Sequence, residues 1–251
     1  MKHKIITLIV VFFATLAAVA QTPAERTAAV YNAQRYADAV ALYDSIEVAQ
    51  GVSPELYYNR GNAYYKMGKY APAILNYERA LLLSPGNPDI KYNLELANTK
   101  IADKIEVTGT FFINVWAESV RDWFNSNTWA VISVVAFLLF IAGLVVYLFT
   151  DADRMRLKKI GFFTALPMLI ISAIALASAI AQNNRVNSHN EAIVFAQEVP
   201  VKSAPAESGT ELFILHEGAK VLLREQVGEW VEIAISDGSR GWMPISAIEV
   251  I

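Results

Sequence analysis

Residues 54–85 read PELYYNRGNAYYKMGKYAPAILNYERALLLSP, and this stretch decides the fold of the N-terminal half of the chain. It echoes its neighbours at a shift of 34 residues. Tyr36 matches Tyr70, Ala39 matches Ala73, Tyr43 matches Tyr77, and Val40 answers Ile74. Beyond it, Pro54 matches Pro88, Tyr58 matches Tyr92, and Asn59 matches Asn93. Self-similarity at this period marks stacked pairs of antiparallel helices. The alanines and glycines let helices approach closely, and the tyrosines fill the space between them. Pro85 follows the second helix, where a ring without an N–H stops it from continuing.

The stretch resembles the tetratricopeptide repeat (TPR) family, through Pro54, Tyr57, Gly61, Tyr64, Gly68, Tyr70, Ala73, Tyr77, Ala80 and Pro85. Arg60 stands where that family usually has Leu. The first repeat keeps Tyr36, Ala39 and Tyr43 but has Gly51 in place of proline. The third keeps Leu94, has Glu95 where a small residue is usual, and is expected to give a capping helix over 88–104. Residues 21–106 are therefore expected to form an all-α TPR solenoid of about two and a half repeats, near the minimum for such a domain.

The resemblance implies a concave face, lined by the first helix of each repeat, that binds a segment of a partner. Here it would carry Tyr58, Asn62, Tyr65, Lys66 and Tyr92. Packing between helices is the competing role for each tyrosine. Some family members grip a C-terminal carboxylate with Lys, Arg and Asn. Asn59 and Asn62 fit that pattern, but Ala24, Ala28 and Asp89 stand where basic residues would be needed.

The remaining sequence is richer in apolar residues than a soluble domain. Hydrophobic residues make up 55% and charged residues only 18% of the 251, against about 25% charged in an ordinary domain. Three apolar segments hold the excess. Residues 1–20 carry Lys2 and Lys4, a short apolar run and Ala18-Val19-Ala20, the pattern of a cleavable secretory signal. Residues 129–149 and 160–181 contain no charge and are each long enough to cross a hydrocarbon core of about 30 Å. Pro167 falls inside the second and reads as a kink satisfied by its neighbour.

The ten-residue loop 150–159 between the spans can join only antiparallel helices. It holds Arg154, Arg156, Lys158 and Lys159, which puts it in the cytoplasm and both termini outside. An exported or anchored N-terminus gives the same topology. Residues 107–128, with Phe111, Phe112, Trp116, Trp123 and Phe124, read as an aromatic segment. It is expected to hold an interfacial helix over about 110–125, at the surface of the lipid bilayer. A last helix packed on the repeats is the alternative.

Residues 182–190 are polar and read as a linker. Over 191–251, short runs at Ile193–Phe195, Val199–Lys202, Glu211–Leu215, Lys220–Glu225, Trp230–Ile235, Gly241–Pro244 and Ile248–Ile251 alternate with turn signals. Such a pattern predicts an all-β sandwich or barrel. Gly228-Glu229-Trp230-Val231 and Gly238-Ser239-Arg240-Gly241-Trp242 resemble the bacterial SH3-like family. That resemblance implies a small barrel with Trp230 and Trp242 in its core or along a groove for a protein or cell-wall peptide.

No reaction chemistry emerges from the sequence. His3, His189 and His216 fall in unrelated segments, no phosphate loop or metal-ligand spacing is present, and there is no cysteine. The expectation is a protein that is not an enzyme and holds no cofactor or metal. Residues 190–251 carry four basic against ten acidic residues, and 21–106 are balanced, which excludes nucleic acid as a main partner. Read whole, the chain is multidomain: a signal, an all-α solenoid, a two-helix transmembrane hairpin and an all-β barrel. That order resembles the BatE family of the Bacteroides aerotolerance operon. The resemblance implies an inner-membrane scaffold working with other Bat proteins, some carrying von Willebrand A domains, in oxidative or envelope stress. A cell-wall peptide sensor acting through the barrel is the alternative.

Overall fold

A computed structural model describes residues 22–104 and 112–251. The expected signal, and residues 107–111 of the aromatic segment, lie outside the described residues. Five helices come first: α1 (Pro23–Asn32), α2 (Tyr36–Gln50), α3 (Pro54–Lys66), α4 (Tyr70–Leu83) and α5 (Pro88–Asn98). The first helix of each pair begins the same way. Pro23, Pro54 and Pro88 occupy the first helical turn, where a missing N–H costs nothing. Thr22, Ser53 and Asn87 cap the free N–H groups that follow, Thr22 in a reciprocal box with Glu25. The helices stack as TPR-like hairpins around Ala39, Ala63, Ala73, Ile74, Tyr77 and Ala80, all nearly inaccessible.

Arg60 is buried between α2, α3 and α4. Its guanidinium donates to Asn76 Oδ1 (2.7 Å), to Asp44 Oδ1 (2.7 Å) and to Glu47, and lies over the Tyr57 ring. Burial disfavours its charge, but the hydrogen bonds and charges of Glu47 and then Asp44 outweigh that and hold its pKa above the ordinary value. Burial likewise opposes ionisation of Glu47, but Arg60 prevails and lowers its pKa below 4.5. Where Leu would pack α2 to α4 by area alone, this chain uses one cation shared by two carboxylates and an amide.

Helix α6 (Phe112–Arg121) then leads into α7 (Ser126–Phe149), which is antiparallel to α8 (Met155–Ser188). Both α7 and α8 are long and apolar enough to cross a membrane. They touch through small residues and show large ones outward. Ser133 and Ser172 each donate to the other's backbone carbonyl at 3.0 Å. At Gly143 and Gly161 the backbones meet: a Cβ on Gly161 would sit 2.7 Å from the Gly143 carbonyl oxygen. Val134, Leu138, Phe163, Ile170 and Leu176 are exposed. The small residues let the two helix backbones approach closely while the bulky apolar residues face away from the contact.

Residues 182–190, expected as a linker, are mostly helix. Gln182–Ser188 continue α8, which ends only at His189, in a left-handed conformation (φ 44°). Polar composition suggested a loop, but Asn and Arg side chains fit the exposed side of a helix as well, and Gln182 is buried. One further residue, Asn190, separates this end from the first strand.

The C-terminal unit contains seven strands: β1 (Glu191–Val194), β2 (Glu198–Lys202), β3 (Glu211–His216), β4 (Lys220–Val227), β5 (Trp230–Ala234), β6 (Arg240–Pro244) and β7 (Ile248–Val250). All described pairings are antiparallel, in the order β3-β2-β6-β5-β4-β1-β7. The sheet is open: no described pairing joins β3 to β7, so the expected barrel closure is not seen. Its core is Val194, Val199, Val201, Leu215, Val221, Val231, Ile233 and Met243.

The helical and β units share a second core. Ile193 and Ile251 are buried in one cluster with Ile74, Ile90 and Ala97, and Phe195 and Ile101 pack against it. Around this patch Lys220 Nζ donates to Glu78 (2.9 Å) and pairs with Glu191 (3.0 Å). Arg79 donates to the Val250 carbonyl (2.6 Å), and the His216 N–H donates to Asp103 (2.6 Å). Burial opposes the Lys220 charge, but Glu78 and then Glu191 raise its pKa above 10.5. The sheet edge thus covers α4 and the end of α5, where a further helix would stack in a longer solenoid. At the other end of α4, Gly86 packs against the backbone of Asp122 and Trp123. Trp129 donates its indole N–H to the Arg121 carbonyl (2.8 Å).

Candidate partner-binding face

With one side of the helical stack covered by the sheet, α1, α3 and α5 leave the concave side open. Two hollows lie along it. One, of about 360 Å³, is lined by residues of α1, α2 and α3, among them Tyr31, Asn32, Gln50, Asn59 and Asn62. The other, of about 230 Å³, is lined by Tyr31, Asn62, Tyr65, Lys66, Tyr77 and Asn93. Tyr31 and Asn62 belong to both, so the two form one groove.

Hydrogen bonds fix its floor. Tyr77 is buried, and its hydroxyl donates to Asn62 Oδ1 at 2.8 Å. Asn93 Nδ2 donates to the same oxygen at 2.8 Å and to the Tyr58 hydroxyl at 3.0 Å. Burial raises the Tyr77 pKa, so its proton stays in place. The Tyr58 and Tyr77 rings pack at 6.1 Å, which holds α3 against α4.

The structure brings four of the five residues expected here to this groove or its floor. Asn62, Tyr65 and Lys66 line it, and Tyr58 is tied to it through Asn93. Tyr65 is half-buried and packs edge-on against Tyr70, so it serves both packing and the groove wall. Tyr92 stands apart on α5, 65% exposed and lining neither hollow. Tyr31 and Asn93 were missed. Asn93 was visible as the repeat of Asn59 at the 34-residue shift. Tyr31 was not, because the first repeat is out of register: Pro23 precedes Pro54 by 31 residues, not 34.

Trp230 and Trp242 are both half-buried on the outward face of the sheet. On β5, Val231 and Ile233 point to the core; on β6, Gly241 and Met243 do. The alternate positions, Trp230, Glu232, Trp242 and Pro244, face out. Trp230 lies opposite Pro244, Trp242 opposite Glu232 and Lys202, and the Lys202 ammonium is 5.2 Å from the Trp230 ring centre. A further cleft of about 570 Å³ between the two units is lined by Glu78, Glu95, Asp103, Lys104 and Lys220. Its Glu78, Asp103 and Lys220 are engaged in the docking contacts.

The family model of the tetratricopeptide repeat matches residues 54–87, which span α3, α4 and the turn to α5. No curated protein matches the chain. A TPR repeat indicates a role in protein–protein interaction. The described residues contain no group of His, Asp and Glu able to hold a metal ion.

Proposed function

We propose that this protein is a non-enzymatic membrane scaffold that recruits protein partners through its concave helical face. One observation carries the reading. The side of the repeats that could have been a second binding surface is filled by the protein's own sheet, and the concave side is left open with its polar groups prearranged. In this reading the hairpin α7–α8 crosses the inner membrane, residues 150–159 are cytoplasmic, and the two outer units work together in the periplasm. Small residues at the α7–α8 contact and bulky residues outside support a lipid environment. Exposed Trp116, Trp123 and Phe124 beside the start of α7 support an aromatic segment at the headgroups.

The resemblance to the BatE family adds the setting: a complex with other Bat proteins, including von Willebrand A proteins, in aerotolerance or envelope stress. The β unit would be an SH3-like module within it. Holding two modules on one bilayer raises their effective concentration for a shared partner. Crosslinking in intact cells followed by mass spectrometry tests this. Membrane-protein crosslinks present in wild type and lost in a folded Tyr58→Ala/Tyr65→Ala variant are the expected result. No reproducible protein partner in wild type would overturn it.

A second reading, a sensor of cell-wall peptide, is favoured by the join of α8 to β1. Only His189 and Asn190 separate them, so a ligand pulling on the sheet would act directly on a membrane helix. Muropeptide binding at Trp230 and Trp242, lost on Trp242→Ala, would support it. No binding at millimolar muropeptide would remove it.

A further inference from the structure

The turn from α4 to α5 meets the end of α6 at a cleft of about 500 Å³, lined by Gly86, Lys91, Glu118, Ser119, Asp122 and Trp123. Close backbone packing fixes its shape: a Cβ on Gly86 would sit 2.9 Å from the carbonyl oxygens of Asp122 and Trp123. Charges of both signs line it. Lys91 and Glu118 are exposed, and among the described residues neither side chain has a hydrogen bond or ion pair, with the other or with any neighbour. Asp122 is half-buried; its Oδ1 accepts from Arg121 at 3.3 Å, and its Oδ2 has no partner among the described residues.

The cleft also has a defined place relative to the apolar hairpin. Its Trp123 is 65% exposed, and α7 starts just after it, at Ser126. The uncharged run begins at Trp129, against which Phe124 packs edge-on with ring centres 5.3 Å apart. The Ser126 hydroxyl donates to the Ala179 carbonyl at 3.2 Å, which ties this end of α7 to α8. Exposed indoles at the end of a membrane helix belong to the headgroup zone. With the hairpin in a bilayer, Lys91, Glu118 and Asp122 therefore face phosphates and amines, and not hydrocarbon.

We infer that this cleft holds the headgroup of an ethanolamine phospholipid, a phosphate and a primary ammonium joined by an ethylene bridge, from the leaflet on the side of the helical stack. This rests on α7 and α8 crossing a membrane. Lys91 donates to the phosphate, and Glu118 and Asp122 accept from the ammonium, whose N–H groups suit carboxylates. Other headgroups use less of the site. An anionic headgroup without an amine would engage Lys91 alone and be repelled by the two carboxylates. A choline headgroup has the positive charge but no N–H to donate.

Native mass spectrometry of the full chain in detergent tests this, with titrations of phosphatidylethanolamine, phosphatidylcholine, phosphatidylglycerol and free phosphoethanolamine. Phosphatidylethanolamine is expected to bind about tenfold more tightly than the other two lipids, the worth of one charge-assisted hydrogen bond. Lys91→Gln and Glu118→Gln are each expected to bring it down to the level of phosphatidylcholine with the melting temperature unchanged. Equal binding of the three lipids, a preference for phosphatidylglycerol, or folded variants that keep the ethanolamine preference overturns the inference. So does free phosphoethanolamine binding as tightly as the lipid, which would make the ligand a soluble one. The lipid comparison is read on the wild-type chain and stands even if a variant misfolds. Release of the chain from membranes by alkaline carbonate would sink the membrane reading itself. Retention in membranes without any lipid preference keeps that reading and removes only the headgroup site.

Discussion

The two sides of the helical stack solve opposite problems with similar residues. On the covered side, α4 and the end of α5 present Ile74, Ile90 and Ala97 to Ile193 and Ile251, and Glu78, Arg79 and Asp103 around them each have a named partner in the sheet. On the open side, the polar groups of Asn62, Asn93, Tyr58 and Tyr77 are bonded to one another. A surface committed to a permanent contact is apolar at its centre and paired at its rim. A surface kept for a partner is preorganised and left unfinished. Substitutions on the first should therefore cost stability, and substitutions on the second should cost binding.

The largest stability effect is expected at Ile193, which is fully buried although it belongs to the sheet unit. Ile193→Ala removes three carbons from a shared core and should cost about 2–5 kcal/mol. Because both units contribute to that core, calorimetry of the solubilised protein should show one transition that moves as a whole. Two separate transitions, with only one of them shifted, would break the comparison, since the covered side would then be a loose contact.

Next comes Lys220. Its replacement by Met leaves Glu78, whose side chain is 11% exposed, without its cation. The cost should be about 2–3 kcal/mol, below that of a fully buried pair because solvent reaches part of the lysine. The sign with pH follows from the raised pKa. The stabilisation is complete below pH 10.5, the ordinary value, and is lost as pH rises through the folded value above it. Wild-type stability should fall in that alkaline window, and Lys220→Met should lack that part of the slope.

These two residues also mark what the sequence could and could not reveal. The 34-residue echo is local, and with it the matching Pro54 and Pro88; these were readable from spacing alone. All seven strands were readable from their alternation. The docking of sheet on helices was not, because its contacts are remote: Arg79 meets Val250 across 171 positions, and neither residue carries a pattern that names the other. The strand order and the missing closure depend on pairings between strands distant in sequence. Polarity misled at 182–188, where it does not imply the absence of a helix. At the binding face the residue types were legible but their roles were not. Only the bonding pattern separates Asn62, whose oxygen accepts from Tyr77 and Asn93, from Asn93, whose amide donates to Asn62 and Tyr58.

Arg60 belongs to neither side and calibrates both. Arg60→Leu restores the residue usual in the resembling family, fills the space, but frees Asp44, Glu47 and the Asn76 amide. Asp44 is 56% exposed and Glu47 30%, so water can take over much of the lost interaction. A cost of about 1–2 kcal/mol at neutral pH is expected. The Glu47 pKa is depressed, so its contribution is present above pH 4.5 and lost as pH falls through the lower folded value. Denaturant titrations at pH 7 and at pH 3 should show the gap between wild type and Arg60→Leu narrowing in acid. A gap that does not change would mean the arginine acts by packing and not by charge.

The smallest stability effect is expected at Tyr92, and it is the sharpest test of the contrast. Tyr92 is 65% exposed on α5, it lines neither hollow, and among the described residues it has no hydrogen-bond partner or ring contact. Truncation to Ala should change stability by no more than about 0.5 kcal/mol, as for most surface sites. If α5 forms part of the partner's path, crosslinking of the wild-type partner should fall without any shift in melting temperature. If Tyr92→Ala leaves crosslinking intact while Tyr58→Ala/Tyr65→Ala removes it, the path is confined to the groove between α1 and α3 and the near side of α5. A loss of stability above 1 kcal/mol would show Tyr92 to be engaged in packing, and the open side would be less open than its geometry indicates.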